Sequence, residues 1–214
     1  MGSDAAVATT GRLPAIRHCD GCTLCCKVVA VNALAKPQGV WCQHCRAGVG
    51  CTIYDQRPGE CAEYECGYLV LPGLGAEWKP SIARLILSRE VSENRLNIHV
   101  DAGRPDAWRR EPYYAQIKKW ARAAMPERGQ VIVMMGQRAI AILPEHDVDL
   151  GTLADDEMIA IVETAGLGNV LTYEAYAAKR GTAVGERMNA AEGRGIPLSS
   201  TPDTAGFRRG RKLD

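Results

Sequence analysis

Cysteine placement constrains this chain more than any other feature of its sequence. All nine cysteines lie in the 48 residues from Cys19 to Cys66, and the 148 residues after Cys66 contain none. Their spacing is Cys19-x2-Cys22-x2-Cys25-Cys26-x15-Cys42-x2-Cys45-x5-Cys51-x9-Cys61-x4-Cys66. The C-x-x-C unit, with which a tight turn brings two thiolates onto one ion, occurs three times. The pattern therefore predicts that the nine cysteines are metal ligands.

The cysteine segment is also poor in the large apolar side chains that form protein cores. Its large aliphatic residues and tryptophan are Leu24, Val28, Val29, Val31, Leu34, Val40, Trp41, Val49 and Ile53. Burial of so few side chains does not offset the conformational entropy that the segment loses on ordering. Metal ligation supplies the missing free energy in small domains of this kind. We therefore predict that residues 18–70 form a metal-binding module that folds only with metal.

Composition places the whole chain among ordinary globular proteins. Hydrophobic residues make up 46% and charged residues 24% of the chain, and the net charge of +1 gives no strong nucleic-acid or membrane signal. The N-terminus lacks the apolar segment of an export signal, which indicates a cytoplasmic protein. Because the cytoplasm is reducing, we expect thiols or metal thiolates rather than disulfides.

The residues after the module, from 71 to 185, predict a small α+β domain. The strands of two predicted hairpins are Ala83–Glu90 with Arg95–Val100, and Gln130–Met135 with Arg138–Leu143. A helix that opens at Glu111-Pro112 and ends at Pro126 separates the two hairpins. The predicted fold is a small, irregular, metal-stabilised cysteine-rich module packed on a small domain of antiparallel sheet and helix.

The two ends of the chain carry weaker signals. Met158–Val162 is interpreted as a strand or a short helix, and Tyr173–Arg180 as a short helix. The acidic run from 145 to 149 is interpreted as a solvated loop. Residues 1–17 are expected to be a disordered lead-in, and residues 186–214, rich in Gly, Pro, Ser, Thr and Arg, a flexible tail.

Two stretches of the cysteine segment resemble a known family. They are Cys19-Asp-Gly-Cys22-Thr-Leu-Cys25-Cys26 and Gly50-Cys51-Thr-Ile-Tyr54-Asp-Gln-Arg57-Pro58-Gly-Glu-Cys61, followed by a last cysteine at Cys66. Together they resemble the CxxCxxCC cysteine-cluster family, also known as YkgJ-type zinc- or iron-chelating domains. The resemblance covers residues 19–66 and implies metal binding by the matched cysteines. Some relatives are flagellin lysine methylases, in which the cysteine domain is part of an enzyme. The pair Cys42 and Cys45 departs from the family pattern, in which a single cysteine is more usual here.

The nine thiols allow several metal contents. Two zinc sites with four thiolates each leave one cysteine over, and so does one [4Fe–4S] cluster together with one zinc site. Three zinc ions need three of the nine thiolates to bridge. Two or more zinc ions are the favoured content, with iron or [4Fe–4S] as the alternative. Because Cys25 and Cys26 are adjacent, they serve two metals, or one of them is a spare or bridging ligand. Cys61 and Cys66 reach nearby metals only if the helix between them ends near Tyr64.

Basic and imidazole side chains in the segment are candidates for the surroundings of the metals. Lys27, Arg46 and Arg57 are placed to balance thiolate charge, and Arg57 is preferred because it lies inside the matched pattern. His44, between Cys42 and Cys45, is a less favoured ligand because the segment offers so many thiols.

No catalytic motif accompanies the cysteines. The sequence contains no G-x-G-x-x-G, P-loop, H-E-x-x-H or G-x-S-x-G pattern. The favoured hypothesis is a non-enzymatic protein whose zinc or iron is structural or stored, with an unidentified protein partner. The alternative is an iron–sulfur component of a redox or group-transfer enzyme, linked to methylation through the family resemblance. The near-neutral charge disfavours a zinc-ribbon-like nucleic-acid module.

Overall fold

The computed structural model describes residues 17–165, 171–181 and 207–213. Its α-helices are α1 (Cys25–Val28), α2 (Gly59–Ala62), α3 (Gly67–Val70), α4 (Pro80–Ala83) and α5 (Tyr113–Ala124). Its strands are β1 (Cys45–Arg46), β2 (Gly50–Cys51), β3 (Leu85–Glu90), β4 (Arg95–Val100), β5 (Gln130–Met135), β6 (Arg138–Ile142), β7 (Asp147–Thr152), β8 (Glu157–Ala165), β9 (Leu171–Lys179), β10 (Phe207–Arg209) and β11 (Arg211–Leu213). Short 3-10 helices cover Asn32–Leu34, Tyr54–Gln56, Ala76–Trp78, Ala107–Arg109 and Met125–Glu127. Of the predicted lead-in, residues 1–16 lie outside the described residues.

In the described part of the chain, six strands form the central sheet in the order β11-β7-β6-β5-β4-β3. Both predicted hairpins are confirmed, since β3 pairs antiparallel with β4 and β5 with β6. Gly136 in the second turn has a φ of 60°, which suits a residue without Cβ. In contrast, β4 and β5 pair in parallel, because α5 crosses over between them. The α+β class is confirmed, and the sheet is mixed rather than purely antiparallel.

Alternating side chains of the sheet face two different layers. Val131 and Val133 share a buried cluster with Ile117 and Ala121 of α5, so this face packs on the helix. Ile132, between them, belongs to a second cluster that includes residues of β8 and β9. This alternation is the two-residue period of a strand that is buried on both faces.

The second layer is a three-stranded sheet in the order β10-β9-β8. Met158–Val162, for which strand and helix were both open, lies within β8. The helix predicted at Tyr173–Arg180 is wrong, because these residues belong to β9 and the turn after it. Strand β9 pairs with β8 along its whole length, and this tertiary pairing overrides the local helix preference of its alanines.

Part of the predicted flexible tail also has regular structure. Residues 207–209 form β10 on β9, and residues 211–213 form β11 on β7. The prediction of a flexible tail is therefore wrong for residues 207–213, and 186–206 and 214 lie outside the described residues. Arg208 contributes to this attachment, since its guanidinium donates to the carbonyl of Leu150.

The acidic run predicted as a solvated loop instead supplies two buried carboxylates at the start of β7. Asp147 is 3% exposed and accepts a hydrogen bond from Lys118 of α5 at 3.1 Å. Asp149 is 8% exposed and accepts one from Arg138 at 2.6 Å. The prediction is wrong because these carboxylates have partners that are distant in sequence, which local composition does not reveal.

The cysteine segment packs against β3. Leu24 and Val28 of α1 form a small buried cluster with Ile86, and Lys27 pairs with Asp101 at 2.6 Å. Helix α3 approaches β3 so closely that a Cβ on Gly67 would lie 2.6 Å from the Cβ of Leu87. Among the described residues, no helix has the length and apolar character needed to cross a bilayer.

Candidate metal centre

A tight turn brings the first two cysteines together at the start of the segment. The Cys22 amide donates to the carbonyl of Cys19 at 2.9 Å, and Gly21 between them has a φ of 72°. A Cβ on Gly21 would lie 2.8 Å from the carbonyl oxygen of Gly48. The turn thus needs glycine for its conformation and for its close contact with the β1–β2 loop.

A second turn and a short hairpin position the middle cysteines. The Cys45 amide donates to the carbonyl of Cys42 at 3.0 Å, which is the turn expected of a C-x-x-C unit. Strands β1 and β2 set Cys45 directly opposite Cys51. The Cys42 amide donates to the carbonyl of Cys26 at 2.9 Å, which ties the hairpin to α1.

The last two cysteines lie on either side of a break between helices. Cys61 is in α2, which ends at Ala62, and Cys66 immediately precedes α3. The helix therefore ends before Tyr64, so the condition for both thiols to reach nearby metals is met.

Four thiols surround a cavity of about 20 Å³. They belong to Cys19, Cys22, Cys25 and Cys66, three from the opening C-x-x-C-x-x-C run and one from the far end of the segment. This volume is close to that of one water-sized particle. Four sulfur donors around such a space match the ligand count of a tetrahedral zinc or iron site.

A larger cavity of about 220 Å³ lies beside the first. The thiols that line it are those of Cys19, Cys25, Cys26, Cys42, Cys51, Cys61 and Cys66. Because Cys19, Cys25 and Cys66 line both cavities, they lie between the two spaces. Cys45 is outside both linings and lies directly opposite Cys51 in the hairpin. The structure thus places eight of the nine predicted ligands in the lining of two adjoining cavities.

Hydrogen bonds link the thiols at the start of α1. A hydrogen bond from the Cys26 thiol lowers the pKa of Cys25 to about 7, whereas the same bond and burial raise the pKa of Cys26. Burial raises the pKa of Cys45, and this rise is opposed by hydrogen bonds from Cys26 and Thr23. Thr23 is itself fixed, since its Oγ1 accepts from the Gly48 amide at 2.9 Å.

Three further thiols, those of Cys19, Cys61 and Cys66, resist ionisation more than free cysteine does. Burial and neighbouring cysteines raise the pKa of Cys19 and of Cys61, and they raise that of Cys66 to about 11. These shifts describe thiols that crowd together with little positive charge among them, although Lys79 lines the small cavity and opposes the rise in the pKa of Cys19. A divalent cation reverses this balance, since it stabilises thiolates directly.

The Tyr64 hydroxyl is a buried polar group next to the small cavity's thiols. Its pKa is raised by burial and then by Cys66, Cys25, Cys19 and Cys22, which places those sulfurs around it. Its Oη has no hydrogen-bond partner among the described residues. A buried hydroxyl without an acceptor is costly, and a metal-bound thiolate supplies an acceptor of this kind.

Positive charge beside the thiols comes mainly from a residue that sequence reasoning missed. Lys36 is buried, and its Nζ donates to the carbonyls of Lys27 and Val29. Burial lowers its pKa, and this is opposed by the thiols of Cys42, Cys26, Cys25 and Cys61, so its ammonium faces the larger group. The signal in the sequence was weak, because one lysine before a proline resembles an ordinary loop.

The three basic residues predicted to balance thiolate charge have different positions. Arg57 lines the larger cavity, but it stacks 3.9 Å from the Tyr54 ring and donates to the Tyr54 carbonyl at 3.2 Å. The Lys27 ammonium donates a hydrogen bond to the Asp101 carboxylate instead. Arg46 is exposed on β1. Of the three, only Arg57 is placed toward the cavities.

His44 also lines the larger cavity, with Nε2 3.3 Å from the side-chain nitrogen of Gln43. Within residues 17–165, 171–181 and 207–213, no three Cys, His, Asp or Glu side chains already converge as a metal site. The donors nevertheless fit zinc or iron in kind and number, since soft sulfur ligands enclose both cavities. Ligation requires thiols that line a cavity to rotate toward a common point.

The chain matches no protein-family model, no curated protein and no solved structure. The family resemblance between Cys19 and Cys66 thus stays a prediction that rests on spacing.

Proposed function

We propose that this protein binds zinc or iron through its cysteine cluster and that the metal is structural or stored. The observation that carries the proposal is the cavity of about 20 Å³ enclosed by Cys19, Cys22, Cys25 and Cys66. The Tyr64 hydroxyl beside it supports the same reading, because it is buried next to these thiols and a thiolate would accept its hydrogen bond.

We assign the remaining cysteines to a second metal at the larger cavity. They are Cys26, Cys42, Cys45, Cys51 and Cys61, one more than a four-coordinate ion needs. The spare thiol is a bridging or outer ligand. Lys36 balances part of the negative charge that such a thiolate group carries. Four-thiolate coordination leaves no position for water, so this arrangement favours a structural or storage role over hydrolytic catalysis.

The size of the larger cavity favours one alternative. A space of about 220 Å³ lined by seven thiols accommodates more than a single ion. An iron–sulfur cluster at this place, with a role in electron or group transfer, is therefore the second candidate function.

Metal analysis of protein purified without oxygen tests the proposal. We expect two or more zinc ions per chain and a colourless sample, whereas brown absorbance with iron and sulfide supports the cluster alternative. The paired variants Cys19→Ser/Cys22→Ser and Cys42→Ser/Cys45→Ser should each lose about one ion and retain the other. His44→Ala, as a control for imidazole ligation, should retain all metal.

Hydrogen exchange after chelation provides the second measurement. The metal-free chain should lose amide protection in residues 17–66 and keep it in β4, β5 and β6. Reduced protein that binds neither zinc nor iron, or that keeps full protection in 17–66 after complete metal removal, would refute the proposal.

A further inference from the structure

Three arginines line a groove of about 500 Å³ that contains no cysteine. Arg84 follows α4, Arg104 lies in the loop after β4, and Arg110 follows the 3-10 helix before α5. Asp106 is the single carboxylate in the lining, so the groove carries an excess of positive charge. The groove is therefore a separate feature from the metal cavities.

The three guanidinium groups form no ion pair with a carboxylate in the part of the chain that the structure describes. None of them donates a side-chain hydrogen bond or forms an ion pair there, although Asp106 lines the same groove. The Cζ atom of Arg110 lies 5.9 Å from the centre of the Tyr113 ring. Arg138 on β6, in contrast, is paired with the carboxylate of Asp149. The donors of this groove are thus available to an external anion.

Arg84 has an unfavourable backbone conformation at this place. It caps α4 with a φ of 61°, a position that glycine or asparagine usually occupies. A side chain with a Cβ costs about 1 kcal/mol in this region. The Arg84 carbonyl accepts from the Asp101 amide at 3.0 Å, which fixes the conformation.

The loop that carries Arg104 is held in place by hydrogen bonds. The Arg104 amide donates to the Asp101 carbonyl at 2.7 Å, and the Ala107 amide donates to the Arg104 carbonyl at 2.9 Å. The Asp101 carboxylate accepts hydrogen bonds from Lys27 and the Gly103 amide and also attracts the Arg84 guanidinium, so the excess positive charge of the groove comes mainly from Arg104 and Arg110. The two sides of the groove are therefore preorganised.

An apolar surface lies beside these charges. Ile82 is 55% exposed, and Pro105 and Ala107 line the same groove. Guanidinium groups recognise phosphate oxygens with two parallel hydrogen bonds, and the volume exceeds that of a phosphate group alone. The net charge of +1 gives the chain no strong long-range attraction for a polyanion.

We propose that this groove binds the phosphate group of a small phosphate ester, with its organic part against Ile82 and Pro105. The probe is phenyl phosphate, titrated into the full-length metal-containing protein by calorimetry and by NMR shifts. Inorganic phosphate and a single-stranded oligonucleotide are the comparison ligands. Arg104→Gln and Arg110→Gln should each weaken phenyl phosphate binding about tenfold or more. The control Arg89→Gln, at an exposed arginine on β3 outside the groove, should change it by less than about twofold.

The outcomes separate the possibilities. Saturable binding of phenyl phosphate that is tighter than that of inorganic phosphate, and weaker at higher salt, supports the proposal. No saturable binding, or equal losses in the groove variants and in Arg89→Gln, overturns it. Equal affinity for inorganic phosphate overturns the assignment to an ester, and tighter binding of the oligonucleotide overturns the small-molecule assignment. Metal content measured on each variant keeps this result independent of the cysteine cluster.

Discussion

Replacement of Lys36 by methionine tests how the fold supports a group of thiolates. Lys36 is 6% exposed, although lysine is rarely buried without an ionic partner. Its Nζ donates to the Lys27 carbonyl at 2.8 Å and to the carbonyl of Val29, both at the end of α1. The same ammonium interacts with the thiols at the larger cavity. Lys36 thus connects the end of α1 with the charge of the cluster.

The magnitude follows from the groups that Lys36→Met leaves behind. Two carbonyls lose their donor, and an unsatisfied buried acceptor costs about 1–3 kcal/mol. Methionine keeps most of the apolar stem and removes the cost of burying an ammonium, so we expect a net loss of about 2–4 kcal/mol in the module. The thiolates also lose a positive neighbour, so zinc affinity should fall about tenfold or more.

Competition with a coloured chelator measures zinc affinity, and hydrogen exchange measures the module's opening free energy. Lys119→Met, at an exposed lysine of α5, is the matched control and should leave both values unchanged. If Lys36→Met matches this control in zinc affinity and in the protection of residues 17–66, Lys36 does not stabilise the cluster and the reasoning is refuted.

Three further changes test other parts of the fold. Lys118→Met leaves Asp147 buried without its cation and should lower the free energy of unfolding in urea by about 3–5 kcal/mol. Lys119→Met should change this free energy little, and a loss below about 1 kcal/mol for Lys118→Met contradicts the prediction. Burial lowers the pKa of His99 to about 4, so only the unfolded chain gains a proton as the pH falls below about 6.5. On acidification to about pH 4, the wild type should therefore lose up to about 3 kcal/mol more of its free energy of unfolding than His99→Gln does. Parallel profiles of stability against pH for the two proteins would argue against this. Gly21→Ala brings a Cβ to 2.8 Å from the opposite carbonyl and should open the module in hydrogen exchange, whereas unchanged protection would show that the turn relaxes.

The strands and helix with strong local signals were predictable from the sequence. Both hairpins formed because their apolar runs are separated by turn residues, including Gly136. Helix α5 formed because Ile117 and Ala121 repeat at helical spacing and pack on the sheet. The parallel register of β4 and β5 was not predictable in this way, because it depends on the path of the crossover rather than on either strand.

The errors share a physical cause, which is dependence on distant partners. Strand β9 has Ala175 and Tyr176 buried on opposite faces, so its sequence lacks the alternation of a strand with one solvated face. The Asp147 carboxylate can be buried because Lys118, far along the chain, donates a hydrogen bond to it. The Lys36 ammonium can be buried because the Lys27 carbonyl at the end of α1 accepts a hydrogen bond from it. In the candidate site, spacing predicts the nine cysteines as ligands, but which of them line which cavity depends on how the turns pack.

The position of the cysteine module indicates how the proposed structural metal would support this fold. Strand β3 is an edge of the described sheet, and Ile86 on it is covered by Leu24 and Val28 of α1. Both of those residues lie close in sequence to Cys25 and Cys26, so loss of the proposed metal at this pair would remove the cover of an apolar residue on an edge strand. Uncovered edges with apolar side chains pair readily with other chains. In the exchange experiment after chelation, this reasoning predicts lost protection at Ile86 as well as in residues 17–66, and full protection at Ile86 would show that β3 is held by its own sheet.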